Sequence, residues 1–335
     1  MTARKGPLDR LREIAAGYQP VGALAAAVEV GLLGRLARGP AAPSALARAC
    51  RASPRGVRML SGALVGLGFL GRRRERYFVR SPWRRLLDPG RRGFAGALFL
   101  SARRTMRAFT ELPEAIRRGR PVHELDEPRE GARFFRRLVP ALHLFNRRSA
   151  ERAAKVLRLA GLRRPFRVLD VAAGSGVWGV AAARASRHVR VDALDLPGVL
   201  PPTRRFAREA GVAPRFRFLP GDLRRADFGR SRYDLVILGH ICHSEGPVRT
   251  RRLFRAVSRA LVPGGRLLIA EFLADDGRRG PPQSLLFALV MLVHTKEGDV
   301  YTVGEIRRWL REAGFGSPRV LPDPPRSPLL LARAR

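Results

Sequence analysis

Apolar positions along this 335-residue chain follow one pattern up to about residue 160 and another beyond it. From Leu8 to about Leu87 they recur at helical spacing in short Ala- and Leu-rich runs. These runs are broken at Gly39-Pro40, Pro43 and Pro54, with Ser44 and Ser53 placed as helix N-caps. The run Val57–Leu70 predicts an amphipathic helix leading into a hairpin, whose turn is Arg72-Arg73-Arg74-Glu75-Arg76 and whose return strand is Tyr77-Phe78-Val79. Together they read as a winged helix-turn-helix. From Phe94 to Leu159 the pattern is again helical, around an acidic loop at Glu124-Leu125-Asp126-Glu127-Pro128. Phe134, Phe135, Leu138, Leu142, His143 and Phe145 recur there as a stripe expected to be core. From Phe166 onward apolar runs alternate with helical segments, which predicts an α/β fold with a doubly wound, Rossmann-like parallel sheet. Its strands are expected near 167–173, 189–195, 216–220, 233–239, 265–273 and 329–333.

The most informative stretch is Val168-Leu169-Asp170-Val171-Ala172-Ala173-Gly174-Ser175-Gly176-Val177-Trp178-Gly179. A β-branched run ends in an acid and then in small residues, so a buried strand turns sharply into a helix. Side chains at Gly174 or Gly176 would hinder backbone approach to a nucleotide-like ligand. The spacing also fits a dinucleotide fingerprint, with Asp195 ending the next strand where it can take ribose hydroxyls, followed by Leu196. Other features favour S-adenosylmethionine (SAM) over NAD. Asp170 would repel a pyrophosphate but suits a cationic or amine-bearing ligand. A second acidic turn, Gly221-Asp222-Leu223, offers an acceptor for an adenine amino group. The segment Leu261–Glu271 then supplies a helix end, a tight turn and a fifth strand.

Composition bounds the reading further. Hydrophobic residues make up 45% of the chain, enough for a sizeable globular core. The formal net charge is +37, and all but Lys5, Lys155 and Lys296 of the 65 basic residues are arginine. Such a skew fits the codon usage of a GC-rich genome. Because the arginines are spread along the chain, they do not mark a nucleic-acid-binding face, and no specific nucleic-acid partner is expected. Cys50 and Cys242 are expected to stay reduced and make no metal site. No run approaches a membrane span, so a cytoplasmic protein is expected, with peripheral membrane contact through arginines left open.

The chain resembles the SAM-dependent O-methyltransferases of the acetylserotonin, hydroxyneurosporene and caffeate type. The resemblance runs from Tyr18-Gln19-Pro20 and Ala27–Leu33 through Leu67–Leu70, the glycine turn, Asp195–Val199 and Gly221-Asp222. It closes on Tyr301–Ile306 and Ala313-Gly314-Phe315. It implies a winged-helix dimerisation domain at residues 1–90, a helical cover for the acceptor site at 91–160 and a SAM-binding domain at 161–335. A homodimer is expected, and so is a small-molecule acceptor bearing a hydroxyl on an apolar, aromatic or polyketide-like skeleton.

Methyl transfer to a hydroxyl needs alignment and a base, and a phenol titrating near 10 is well served by a histidine. The family's His-Asp pair falls on His243 and Ser244, so the base is kept and its acidic neighbour is not. The family's first supporting glutamate matches Glu271, whereas the second falls on Val300. Gly239 and His240 stand where the family has a lysine and an aromatic beside the cofactor. The cofactor set expected is therefore Asp170, Gly174, Gly176, Asp195, Leu196, Asp222, Leu223 and Gly239, with His243 and Glu271 catalytic. His243 could instead only position the acceptor, and C- or N-methylation by an altered relative is the competing chemistry. An RNA methyltransferase is disfavoured, because its Asn/Asp-Pro-Pro-aromatic turn is replaced by His240-Ile241-Cys242-His243.

Overall fold

A computed structural model describes residues 6–91, 93–122, 128–321 and 328–335; the acidic loop expected at 124–127 lies outside the described residues. The chain divides into two units, Met1–Arg107 and Ala108–Arg335.

In the first unit, short helices α1 (Pro7–Ala16), α2 (Tyr18–Glu29), α3 (Leu32–Ala37), α4 (Pro43–Ala49) and α5 (Pro54–Gly66) precede a hairpin of β1 (Leu70–Arg73) and β2 (Arg76–Val79). The chain continues through α6 (Arg84–Leu87) into α7 (Gly96–Phe109). Ser53 caps α5, its hydroxyl accepting the Gly56 N–H at 3.0 Å. Ser44 does not cap α4. Pro43 carries the pre-set φ of a first helical position, so the helix starts at Pro43 with Ala42 as its cap and Ser44 already inside. The hairpin turn is tighter than expected: Arg73 pairs with Arg76, leaving Arg74 and Glu75 at the tip, Arg74 with φ 50°. Leu32, Leu33, Leu46, Leu64 and Leu70 are sealed in the core of this unit. Helix α1 buries nothing, and its Leu8, Leu11 and Ile14 are 61–67% exposed.

The second unit opens with α8 (Leu112–Arg118) and the long α9 (Pro128–Val156). Then come β3 (Phe166–Val171), α10 (Val177–Ala185), β4 (Val189–Asp195), α11 (Leu200–Glu209), β5 (Phe216–Pro220), β6 (Tyr233–Gly239) and α12 (Cys242–Ala260). The chain ends with β7 (Leu261–Ala270), β8 (Leu273–Ala274), α13 (Pro282–His294), β9 (Tyr301–Thr302), α14 (Val303–Glu312), β10 (Arg319–Leu321) and β11 (Leu329–Arg333). The main sheet has the order β10-β11-β7-β6-β3-β4-β5. Strands β3 to β7 run parallel, while β11 and β10 are antiparallel additions at one edge. Strand order reverses between β3 and β6, and ligands of open α/β sheets bind at the carboxyl edge beside such a switch.

All six expected strands form. Strand β3 stops at Val171 because Ala172 turns into the left-handed region, φ 52°. Short, weakly patterned β10 was not foreseen. The aromatic stripe is only partly core: Phe135 and Phe145 are 39% and 42% exposed, while Val139, Ala141, Ser149, Ala150 and Ala153 carry the buried face of α9. Small residues on that face let α9 lie close against α10. No helix among the described residues is long and apolar enough to cross a membrane.

Gly179 is where α10 meets the sheet. A Cβ there would sit 2.9 Å from Val191 Cγ1 and 3.0 Å from Asp170 Oδ2. Gly179→Ala is therefore expected to destabilise the protein by about 1–3 kcal/mol through overpacking, read as a lower denaturation midpoint at unchanged slope.

Candidate active site

The carboxyl ends of β3, β4, β5, β6 and β7 bring the expected site residues to one edge of the sheet. Gly174 and Gly176 adopt φ 57° and 69°, the left-handed backbone that a side chain resists. A Cβ on Gly176 would also lie 2.7 Å from Thr203 Cγ2. Thr203, on α11 and fully buried, donates its hydroxyl to the Gly174 carbonyl at 2.6 Å and so props the turn from behind. Helix α9 approaches the same turn, because a Cβ on Gly174 would meet Val139 Cγ1 at 3.4 Å. Sequence reading missed both supports, since neither Thr203 nor Val139 stands near the turn along the chain.

Asp195 holds the turn from the neighbouring strand. Its Oδ2 accepts the Gly174 N–H and its Oδ1 the Leu196 N–H, each at 2.7 Å. Burial raises its pKa to about 6, against the opposing pull of those two hydrogen bonds. Asp170 is sealed more deeply, with 1% exposure. One oxygen accepts the Gly179 N–H at 3.0 Å, and the other is buried with no hydrogen-bond partner. Burial lifts its pKa to about 8, with the Asp195 charge adding to the rise and the Gly179 bond opposing it. Two carboxyls whose charge lacks a full answer, beside a glycine turn open to close backbone approach, fit a cationic nucleoside ligand such as SAM.

Asp222 forms an Asx turn, accepting the Arg224 N–H at 2.9 Å, and Leu223 is half-buried beside it. Arg224 grips Glu245 with two bonds of 3.1 Å, tying this turn to the first turn of α12. Nothing in the spacing of residues 224 and 245 advertised that ion pair.

The catalytic candidates meet between β7 and α12. Glu271 is 1% exposed and accepts from the His243 backbone N–H at 3.2 Å and the Phe272 N–H at 2.8 Å. Its Oε1 also lies 2.6 Å from His243 Nδ1. Burial opposes its charge, yet the histidine and these hydrogen bonds together hold the carboxyl below its usual pKa. With Nδ1 engaged, Nε2 is the ring atom left for a substrate proton. The His243 ring stands edge-on to Phe287 at 5.0 Å, and Phe287 packs on Phe272 at 4.3 Å. Ser244 turns its hydroxyl back to the Ile241 carbonyl at 2.9 Å, away from any role beside the imidazole. Val300 is fully buried.

Gly239 makes room for Trp178: a Cβ there would fall 2.4 Å from the indole Nε1. His294 is 6% exposed, with its ring 6.5 Å from Phe134, so it is not a surface residue. His143 stacks flat on Phe206 at 3.9 Å. Asp192, in the middle of β4, is taken up by Arg217 and by the Tyr233 hydroxyl at 2.7 Å.

The O-methyltransferase domain family matches residues 129–316. Among curated relatives, the 3-hydroxy-5-methyl-1-naphthoate 3-O-methyltransferase of Streptomyces sahachiroi is 31% identical, over 93% of this chain and 90% of its own. The tetracenomycin polyketide synthesis 8-O-methyl transferase of Streptomyces glaucescens is 32% identical, over 93% and 92%. Among solved structures, human N-acetylserotonin methyltransferase in complex with SAM shares the fold, with a TM-score of 0.84, 23% identity and coverage of 100% of this chain and 99% of that one. Residues that answer a SAM-like ligand at the sheet edge and a domain match over more than half its length agree: the chain belongs to the O-methyltransferase family, and it is a SAM-dependent methyltransferase.

Proposed function

We propose that this enzyme methylates a hydroxyl of an aromatic, polyketide-like small molecule, with His243 as general base and Glu271 as the group that orients it. The observation that carries the reading is the 2.6 Å contact between His243 Nδ1 and a fully buried carboxylate. It fixes the tautomer with a proton on Nδ1 and leaves Nε2 as acceptor. Phe272 and Phe287 beside that ring suit a flat, apolar acceptor. The naphthoate and tetracenomycin enzymes, similar over nearly their whole length, are named for acceptors of that kind.

Bound SAM supplies the electrophilic methyl group. Asp195 and Leu196 would take the ribose side, Asp222 and Leu223 would flank adenine, and Gly174, Gly176 and Gly239 would present backbone to the ligand. Asp170 supplies negative charge beneath the turn. Within residues 91–160, α9 acts as the cover over the cofactor turn, consistent with Val139 lying against Gly174. Residues 1–90 form a winged-helix dimerisation domain. Exposed Leu8, Leu11, Ile14 and Tyr18 on and beside α1 are the apolar surface that a second copy would cover.

Incubation of the purified enzyme with methyl-labelled SAM and aromatic phenols should transfer label to oxygen. His243→Ala is expected to lower turnover by about 10²–10⁴ while leaving SAM affinity within a few-fold, because the base acts only on the acceptor's proton. A variant turning over at the wild-type rate would show that proximity alone drives transfer.

SAM affinity should depend on pH. Asp195 and Asp170 carry raised pKa values in the free protein, about 6 and about 8, and a cationic ligand favours their ionised forms. The free protein therefore holds protons that binding releases. Calorimetry in buffers of different ionisation enthalpy should show proton release between pH 6 and 8, with affinity rising across that window. The same shifts make the unliganded protein less stable as pH rises through it, because the folded state binds more protons than the unfolded one.

Sedimentation at micromolar concentration should give a dimer. Leu11→Asp, on the solvent-facing side of α1, should shift the population to monomer with little loss of helix content.

A further inference from the structure

Each strand from β3 to β6 has an arginine at its amino end. Arg167, Arg190 and Arg217 are the second residues of β3, β4 and β5, and Arg232 directly precedes β6. All four are exposed. They stand at the opposite end of the sheet from the carboxyl edge that holds the glycine turn and His243. Together with Asp192 and Tyr233 they line a cavity of about 250 Å³. Drug-sized ligands occupy clefts of about 300–1,000 Å³ with mostly apolar walls, so a smaller cavity walled by guanidinium groups suits a compact, charged ligand.

Strand register brings these charges together. Arg167 lies directly opposite Arg190 in the β3–β4 ladder, and Asp192 directly opposite Arg217 in the β4–β5 ladder. Neighbouring strands run about 4.8 Å apart, so two guanidinium stems rise side by side from one face of the sheet and repel each other. The acids nearby are already engaged. Asp192 is held by Arg217 and by the Tyr233 hydroxyl at 2.7 Å, and Asp234 accepts the Arg167 backbone N–H at 2.8 Å. Arg190 turns one nitrogen to the Arg187 carbonyl at 2.9 Å, which leaves its charge unanswered. Burial, and after it the Arg190 charge, lowers the pKa of neighbouring Arg215, as crowding of like charges requires. Neither the Arg167 nor the Arg232 guanidinium has a carboxylate partner among the described residues; Arg232 lies over the Tyr233 ring at 5.9 Å.

We propose that this cavity binds a small multivalent phosphate anion of the diphosphate class, gripped by the guanidinium groups of Arg167, Arg190 and Arg232, with Arg217 kept in place by Asp192. Planar guanidinium forks pair with phosphate oxygens two bonds at a time, and a tetrahedral oxyanion accepts them from several directions at once, which a single carboxylate does not. The anion relieves the repulsion between Arg167 and Arg190 that the register imposes. A nucleic acid would need basic side chains laid out along a stripe, whereas these converge on one recess. SAM carries no phosphoryl group and belongs to the other edge of the sheet, so the ligand is not the cofactor.

The test is calorimetry with inorganic pyrophosphate at fixed ionic strength, on the full-length wild type, Arg167→Gln, Arg190→Gln, Arg232→Gln and the Arg167→Gln/Arg190→Gln double variant. A second double variant, Arg55→Gln/Arg58→Gln on α5, removes the same charge from exposed positions in the other unit. Wild type should bind pyrophosphate saturably at one site per chain. Each single variant should weaken that binding about tenfold, the cavity double variant about a hundredfold, and the α5 double variant by less than about twofold. Without the anion, the cavity variants should melt no lower than wild type, since a repulsion has been removed, and should bind SAM with unchanged affinity. Random-sequence duplex DNA, whose attraction follows net charge, should lose equally in the two double variants. The proposal is overturned if pyrophosphate does not bind saturably, if the α5 variant loses as much affinity as the cavity variant, or if all the cavity variants bind like wild type. It is overturned as well if the cavity variant loses DNA binding and keeps pyrophosphate, which would assign the arginines to a polymer.

Discussion

A carboxylate with 1% of its surface exposed decides the shape of the sheet's carboxyl edge. Glu271 directly follows β7, and three groups answer its charge: the backbone N–H groups of His243 and Phe272 and the ring nitrogen Nδ1 of His243. An ionised group in that position is tolerable only because each oxygen is taken up, and each bond fixes something else. One sets where α12 begins, another sets how β7 ends, and the third sets the plane and tautomer of an imidazole. Remove the carboxylate and two backbone donors and a ring nitrogen lose their partner together, so the site's geometry and the local fold stand on one residue. This coupling links the aromatic cluster of Phe272 and Phe287 to the His243 imidazole, since both phenylalanines pack around the segment that Glu271 pins.

The family's usual acidic support is thinner in this chain, and backbone takes over part of it. Ser244 folds back on Ile241, and Val300 is apolar and sealed. In their place the Asp299 N–H donates to the His243 carbonyl at 2.9 Å. Gly298 permits that approach, because a Cβ there would lie 2.6 Å from the same carbonyl oxygen. The helix start that carries His243 is thus held from two sides, by Glu271 through the side chain and by the loop before β9 through the main chain. Among the described residues, orientation of the ring rests on a single acidic partner, Glu271.

Much of this was legible in the chain, for a physical reason in each case. Parallel strands buried on both faces read as continuous apolar runs, so β3 to β7 were found within a few residues. Positive φ at a strand-to-helix turn demands glycine, so Gly174 and Gly176 announced themselves. His243 and Glu271 were found as separate residues, each by resemblance, but their contact joins positions 28 apart and no local pattern encodes it. The same holds for Thr203 behind the glycine turn and for Arg224 with Glu245. The errors were local ones. Ser44 lost its capping role because Pro43 starts the helix one step earlier, and the Phe134–Phe145 stripe was read as core because periodicity marks a face without saying what covers it.

The excess of arginine has a structural side that composition alone conceals. Arg224 is a bidentate partner to a nearly sealed glutamate, Arg217 engages Asp192 across β4 and β5, and Arg278 reaches both Glu305 and the Val300 carbonyl just before β9. A lysine would offer one point charge in each place where the planar fork makes two bonds. A skew in composition does not by itself place arginines at these positions. The turn after β5 and the segment before β9 are held by guanidinium groups whose geometry, more than their charge, is what the site uses. The remaining exposed arginines find too few acids, 28 Asp and Glu against 65 basic residues, and their mutual repulsion is a cost that the buried core has to offset.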